Sequence, residues 1–347
     1  MQQINTAICS FGMSGRVFHA PFISTHNGFN LYAVWERTKN EAAQIYPHVI
    51  TYHTLEELLA DEAVELIVVN TPNTTHFDFT KQALLAGKHV ICEKPFTVTV
   101  AQAQELISLA ASKQKILSVF QNRRYDSDYK TIQSILNEKL LGNIVEAEFH
   151  FDRFKDALSP KLHKETAGAG TGALYDLGAH LIDQALQLFG MPHAVFADIA
   201  AMRPISQVDD YFELLYYYPT FRVRIKGSYQ VREALPGYII HGSKGSFIKP
   251  KTDVQEAQLQ AGLLPTDTDY GIEPETEQGL LHTEIGGKII KKNIPSLRGN
   301  YMAYYEGMYQ AIRNNAAVPV PAEDGMKVIK IIEAAFKSSS EKRVIEL

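Results

Sequence analysis

Near the end of an apolar run, His89-Val90-Ile91-Cys92, this 347-residue chain places Glu93-Lys94-Pro95. Such a run reads as a buried strand, and open α/β sheets bind ligands and do chemistry at the carboxyl ends of their strands. An ammonium group there can donate to a substrate oxygen and stabilise developing alkoxide charge. Asp176, His180 and Asp183 fall at i, i+4 and i+7. A helix would hold them on one face, apart from the apolar stripe of Leu174, Leu177, Leu181, Ala185 and Leu188. An imidazole titrates near neutrality and can take a proton from a hydroxyl, while a carboxylate can hold a neighbouring one. Asp183 is read as a helix-face residue supporting the other two. Each feature also has a plainer reading, a solvated Lys-Pro turn and a polar helix face, so the surrounding elements must decide.

Residues 4–9 read as a strand, followed by Ser10-Phe11-Gly12-Met13-Ser14-Gly15 and a helix start at Arg16. This is a dinucleotide-binding fingerprint without its first glycine. Gly12 lets backbone approach a pyrophosphate, Gly15 allows close packing of helix on strand, and the helix N-terminus offers N–H groups to the anion. Ser10 must make the tight turn. A second strand over 31–35 ends in Glu36-Arg37-Thr38. There Glu36 can accept from ribose hydroxyls, or Arg37 and Thr38 can hold a 2′-phosphate. A third strand over 66–69 ends in Asn70-Thr71-Pro72-Asn73-Thr74-Thr75-His76, ahead of a helix over 77–86. A further helix over 99–112 leads to a strand over 116–120 and then Gln121-Asn122-Arg123-Arg124-Tyr125-Asp126. Strands alternating with helices predict a doubly wound parallel sheet, a Rossmann domain whose strand-end turns gather in one crevice. Lys94 is expected to face that crevice.

From about residue 121 the alternation stops. A helix over 128–140 precedes strands expected at 144–151, 194–202, 210–217, 221–229 and 238–242, which imply a second α/β domain built on a large, mostly antiparallel open sheet. The chain is therefore divided into a nucleotide-binding domain, 1–122, and a substrate-binding and oligomerisation domain, 123–347. Tyr216-Tyr217-Tyr218 reads as sheet packing, and Gly242-Ser243-Lys244-Gly245-Ser246 as a hairpin turn. An outward sheet face of tyrosines and β-branched residues is expected to be apolar and covered by another subunit, giving a homodimer or homotetramer.

Composition excludes several function classes. With 45% hydrophobic and 21% charged residues the usage is ordinary for a globular enzyme, and a net charge of −5 gives no basic surface for nucleic acid or anionic membrane. No apolar run reaches membrane-spanning length, and the first residues do not read as a secretory signal, so the expected location is cytoplasmic. Cys9 and Cys92 lie in expected strands and read as apolar fillers. The twelve histidines show no metal-ligand spacing, and no metal is expected. Without a secretory signal, Asn73-Thr74-Thr75 reads as a turn.

Taken in order, the SxGxxG start, TPNTTH, HVICEKP and GTGALYDLGAHLID resemble the Gfo/Idh/MocA oxidoreductase family over nearly the whole chain. GRVFHAPFI, QNRRYDSDY and the closing IIEAAFKSSSEKRVIEL are similar to its NADP-dependent scyllo-inositol dehydrogenase branch. The resemblance implies a Rossmann domain followed by an α/β domain, with substrate between them against a nicotinamide. It implies NADP, with NAD the less favoured cofactor, and a small polyol or sugar as substrate. The family's catalytic lysine matches Lys94, and its Asp and His match Asp176 and His180. Together with the strand-end rule, cofactor contacts are expected from Ser10, Phe11, Gly12, Met13, Ser14, Gly15, Glu36, Arg37, Thr71, Pro72, Asn73, His76, Glu93, Lys94 and Asn122. Substrate contacts are expected from Lys94, Asn122, Tyr125, Asp176 and His180. The branch's usual tryptophan after the paired arginines is Tyr125 here. A non-catalytic NADP-binding regulator is the reading from another class, since fold does not fix function; the presence of Lys94, Asp176 and His180 argues against it.

Overall fold

The computed structural model describes residues 2–159 and 165–347. They form two compact units. The first runs to Asn122 and takes in Gln255–Tyr270 and Asn300–Met326, while the second comprises Arg123–Val254, Gly271–Gly299 and Lys327–Leu347.

Among the described residues the first unit is built on six strands: β1 (Ile4–Ile8), β2 (Phe29–Trp35), β3 (Ile50–Tyr52), β4 (Leu66–Val69), β5 (His89–Glu93) and β6 (Leu117–Phe120). All pair in parallel, in the order β3-β2-β1-β4-β5-β6. This is the doubly wound order, and its direction reverses between β1 and β4, where such sheets take their ligands. Helices α1 (Ala20–Thr25), α2 (Glu41–Ile45), α3 (Leu55–Ala60), α4 (His76–Leu85) and α5 (Val100–Ser112) connect the strands. Capping boxes start α3 and α5: Thr54 with Glu57, and Thr99 with Gln102. Each satisfies N–H groups that a helix start leaves bare. β3 is three residues long and escapes the sequence reading, which needs a longer apolar run.

Among the described residues the second unit carries α6 (Ser127–Asn137), α7 (Ala179–Phe189) and nine strands. These are β7 (Ile144–His150), β8 (Ala194–Ala200), β9 (Tyr211–Tyr217), β10 (Arg222–Ser228), β11 (Tyr238–Gly242), β12 (Gly245–Lys249), β13 (Gly279–Ile285), β14 (Lys288–Ile294) and β15 (Ile345–Glu346). Their order is β14-β13-β12-β11-β7-β10-β9-β8-β15. Only the β7–β10 pair is parallel among the pairings described. Gly242 pairs with Gly245 across the β11–β12 hairpin, so the glycine-rich stretch is a turn. Alternate residues Ala147, Phe149, Phe212, Leu214, Tyr216, Val223 and Ile225 are buried. The opposite face differs from the apolar surface expected. Arg224 bridges Glu148 at 2.7 Å and Glu213 at 3.0 Å, and Tyr211 donates to Glu213 at 2.9 Å. The period of two in Arg222-Val223-Arg224-Ile225-Lys226 already alternates charge with aliphatic bulk.

Helices α8 (Gln255–Gln260) and α9 (Met302–Asn314) lie beyond residue 122, yet both group with the first unit. The cause is an aromatic stripe. Tyr301, Tyr304 and Tyr305 are wholly buried. Tyr305 stacks on Phe22 at 5.2 Å, Tyr304 meets Phe120 edge-on at 4.9 Å, and the Tyr304 hydroxyl donates to Ser118 at 2.8 Å. Arg313 closes the helix end on Glu65 at 2.8 Å. The long α10 (Ala322–Glu341) follows. Among the described residues no helix is long and apolar enough to cross a membrane.

Replacing Tyr304 by alanine should lower stability by about 3–5 kcal/mol, as for a buried aromatic truncation. Tyr304→Phe should cost about 1 kcal/mol, the net worth of one hydrogen bond. Urea unfolding followed by fluorescence checks both; equal losses would show that packing of the ring contributes little.

Candidate active site

The turn after β1 shows how Ser10 replaces a glycine. Its hydroxyl accepts the Gly12 N–H at 3.3 Å, and its carbonyl accepts from the Asn70 side chain at 2.8 Å. A Cβ on Gly15 would stand 2.1 Å from the Ser10 carbonyl oxygen, so no other residue fits there. Gly12 is exposed, with its backbone open to a ligand. The helix then opens as a π-helical turn, Gly15–His19, before α1. Pro21 lacks the N–H that the Val17 carbonyl would take in an α-helix, and a widened turn absorbs that loss. Phe11 is buried edge-on against Tyr46 at 6.3 Å, which leaves only its backbone for a ligand. Met13 is exposed.

Two residues expected at the cofactor also brace the fold. Glu36 is buried, and its carboxylate accepts the N–H groups of Glu41 at 3.2 Å and Ala42 at 3.0 Å. It caps α2, whose Asn40 makes no side-chain cap bond. Arg37 and Thr38 beside it are exposed. His76 is likewise buried, with Nδ1 at 2.8 Å from the Pro95 carbonyl oxygen and Nε2 at 2.9 Å from that of Thr71. Its ring ties the turn after β4 to the turn after β5. Thr71 and Asn73 remain half-buried and Pro72 exposed on the turn itself.

At the end of β5, Glu93 accepts from Ser14 at 2.5 Å, from His19 Nε2 at 3.0 Å and from the Lys94 backbone N–H at 3.1 Å. Burial pushes its carboxyl up, but the hydrogen bonds from His19 and Ser14 and the nearby charges of His19 and Lys94 hold it down, at about 2. Lys94 is half-buried on the next residue, and Asn122 is buried just beyond β6. The turns after β1, β4 and β5 are thus joined by Asn70–Ser10, Ser14–Glu93 and His76. A dinucleotide fits this arrangement on two counts. The Gly15 backbone leaves no room for a side chain, and Asn70 Oδ1 is buried with no hydrogen-bond partner within the protein. A buried orphan acceptor of that kind suits a ligand hydroxyl.

In the second unit a glycine-rich stretch feeds a second π-helical turn, Leu174–Gly178, and then α7. Asp176 is half-buried on the π-turn and His180 is buried one turn on. Asp183 leaves this pair. Its carboxylate takes a bidentate bond from Arg124 at 2.8 and 2.6 Å, both groups nearly buried. The arginine therefore anchors α7 to the segment carrying Tyr125. Burial pushes the Tyr125 phenol up to about 12, so it stays a neutral donor. Lys94 belongs to the first unit, Asp176 and His180 to the second.

Two residues in the second unit were not singled out in the sequence. Burial raises the Tyr229 phenol, and the charge of Asp176 adds to that, which puts Tyr229 near the π-turn. Asp209 starts the helix itself: its carboxylate accepts the Leu174 N–H at 2.7 Å and its carbonyl accepts the Ala173 N–H at 2.8 Å. Gly172, at φ +97°, makes room for it, since a Cβ there would lie 1.9 Å from an Asp209 oxygen. The signal available was the Asp209-Asp210 pair ahead of an expected strand.

Burial pushes the Asp209 carboxyl from its ordinary 3.8 up to about 6. A raised acid binds its proton more tightly in the folded protein, so its contribution to stability is lost as pH rises through that window. Asp209→Asn cannot titrate. Its stability relative to the wild type should therefore rise between about pH 4 and about pH 7 in urea unfolding. A difference independent of pH would contradict the assignment.

Comparison with known proteins agrees with this architecture. Residues 4–121 match the NAD-binding Rossmann fold of the Gfo/Idh/MocA oxidoreductase family, and residues 133–347 match its C-terminal alpha/beta domain. The chain is 39% identical to a scyllo-inositol 2-dehydrogenase (NADP(+)) of Bacillus subtilis over 99% of this chain and 96% of that protein. It is 27% identical to a D-glucoside 3-dehydrogenase of Escherichia coli over 54% of this chain and 55% of that protein. A solved oxidoreductase structure from Bacteroides fragilis superposes with a TM-score of 0.92 at 44% identity, each chain covered in full.

Proposed function

The chain belongs to the Gfo/Idh/MocA family of oxidoreductases, and from that premise we propose that it interconverts a secondary alcohol of a cyclic polyol, scyllo-inositol or a close relative, with its ketone, using NADP(H). The observation that carries the reading is the end-to-end similarity to an NADP-dependent scyllo-inositol dehydrogenase; Lys94, Asp176 and His180 are proposed as the catalytic residues on the resemblance of their motifs to the family's. The similarity over half the chain to a D-glucoside dehydrogenase supports a second reading, a sugar as substrate.

The backbone of Gly12 and Gly15, the α1-side N–H groups, Asn70 and Lys94 would hold the dinucleotide, whose nicotinamide supplies the hydride acceptor when bound. Lys94, as ammonium, donates to the reacting oxygen and stabilises its charge as the alcohol loses hydride. His180 takes the hydroxyl proton. Asp176 accepts from a neighbouring hydroxyl and fixes which carbon is presented. Tyr125 and Asn122 offer polar edges to the remaining hydroxyls. In ketone reduction the same residues run in reverse, with His180 giving its proton to the oxygen.

Cofactor choice follows from Glu36. A carboxylate aimed at the ribose would repel a 2′-phosphate, but here it is engaged with the start of α2, so the charge presented is that of Arg37. Arg37→Ala should remove a charge-assisted contact worth about 1.5–3 kcal/mol, weakening NADP roughly 10- to 150-fold and NAD little. Fluorescence titration with both cofactors reads this; equal losses would remove Arg37 from the 2′-phosphate.

Lys94→Met keeps the aliphatic stem and loses the ammonium, so kcat should fall about 100-fold or more. His180→Gln should lower turnover about 100- to 10,000-fold and remove the limb of the pH profile that reports a base. The reading as a whole is tested by a panel of inositols, aldoses and glucosides with NADP or NAD, scored by kcat/KM. Highest activity on an inositol with NADP is expected, and preference for a glucoside or aldose would favour the second reading.

A further inference from the structure

Beneath Lys94 lies a histidine that the mechanism above does not use. His19 sits at the end of the first π-turn with no exposed surface. Its ring lies 4.6 Å from that of Phe120 on β6. On one side Nε2 meets the Glu93 carboxylate at 3.0 Å. On the other, Nδ1 meets the Tyr305 hydroxyl, on α9, at 2.8 Å. All these groups belong to the first unit.

Proton counting fixes the state of the ring. Tyr305 has a single hydroxyl proton, and it is donated to the Phe18 carbonyl oxygen at 2.6 Å, an atom that can only accept. The phenol oxygen can therefore meet Nδ1 only as an acceptor. Glu93 accepts from the Ser14 hydroxyl on one oxygen and from the Lys94 backbone N–H on the other, the pattern of a carboxylate, so it too can only accept, and Nε2 must donate to it. A neutral imidazole has one N–H, yet this site asks for two. The charged and titratable groups facing the pair are Glu93 and Lys94 from the end of β5, Tyr305 from α9, and His76 from α4, on which the Glu93 charge acts. A cation between a carboxylate and a phenol oxygen balances that set.

We propose that His19 is a positioning residue, a buried imidazolium that locks Glu93, and through its bond to the Lys94 backbone the turn carrying that lysine, onto the helix that opens the dinucleotide site. The ring meets Glu93, Tyr305 and Phe120, and the path from it to Lys94 runs through the bond between the Glu93 carboxylate and the Lys94 backbone. The kinetic half of the inference rests on the function proposed above; the protonation half does not.

Protein labelled with nitrogen-15 histidine provides the test, because at about pH 8 an ordinary imidazole is neutral. One ring should carry two N–H protons there, vanish from the spectrum of His19→Gln, and lose one proton in Glu93→Gln. If His19→Gln does not fold, Tyr305→Phe removes the Nδ1 acceptor and should move the Nδ1 signal of that same ring alone. A His19 ring with a single N–H, or one indifferent to Glu93→Gln, would overturn the proposal. Folded His19→Gln should also lose about 10- to 100-fold in kcat through a misplaced lysine. Wild-type kcat in that variant would overturn the positioning role. Failure of the protein to oxidise any polyol, with the doubly protonated ring observed, would count against the function and not against the ion pair.

Discussion

A carboxylate largely shut off from water stays ionised only if donors replace the water it has lost. Glu93 meets that demand with donors from three places: Ser14 in the turn after β1, His19 at the end of the first π-turn, and the backbone of Lys94. The requirement runs the other way as well. Each donor is held where the carboxylate needs it, so the dinucleotide turn, the first helix and the turn bearing Lys94 cannot shift independently. His19 passes the constraint on to Tyr305, which lies in a segment far along the chain. This explains why α9 returns to the first unit although the sheet is complete without it.

The second unit solves a similar problem with other parts. Asp176 and His180 need a helix whose first turn is fixed, and no serine or threonine caps it. Asp209 does so from a distant strand end, and Gly172 supplies the space. At the far end of the ionisable face, Arg124 grips Asp183 with two short bonds. Both π-turns fall where a glycine-rich stretch meets a helix bearing residues of interest, in keeping with the association of such widened turns with functional sites.

Much of this was legible in the sequence, for identifiable reasons. The parallel sheet was readable because β4 and the middle of β5 are buried on both faces and so appear as apolar runs, Leu66–Val69 and residues 90–92. Lys94, Asp176 and His180 stood out because reactive residue types at strand ends and helix spacing are uncommon beside such runs. The capping role of Glu36 was not legible, because a carboxylate after the second strand looks the same whether it reads a ribose or caps the following helix. Only the bonds to Glu41 and Ala42 distinguish the two. The bracing role of His76 was hidden for a related reason, since its carbonyl partners lie five and nineteen residues away. Asp209 and the aromatic helix α9 act across long sequence separations, where local pattern carries no information. The charged outer face of the second sheet was present in the alternation of β10 but was outweighed by the neighbouring tyrosines.

The central claim is that these two sets of residues serve one hydride transfer from a polyol. Its most direct test is a single turnover of NADP-loaded protein with scyllo-inositol deuterated at its carbinol carbons, following nicotinamide reduction by absorbance. The account predicts stoichiometric NADPH, formed more slowly from the deuterated than from the ordinary polyol. Bound NADP that stays oxidised in the presence of saturating polyol would contradict it.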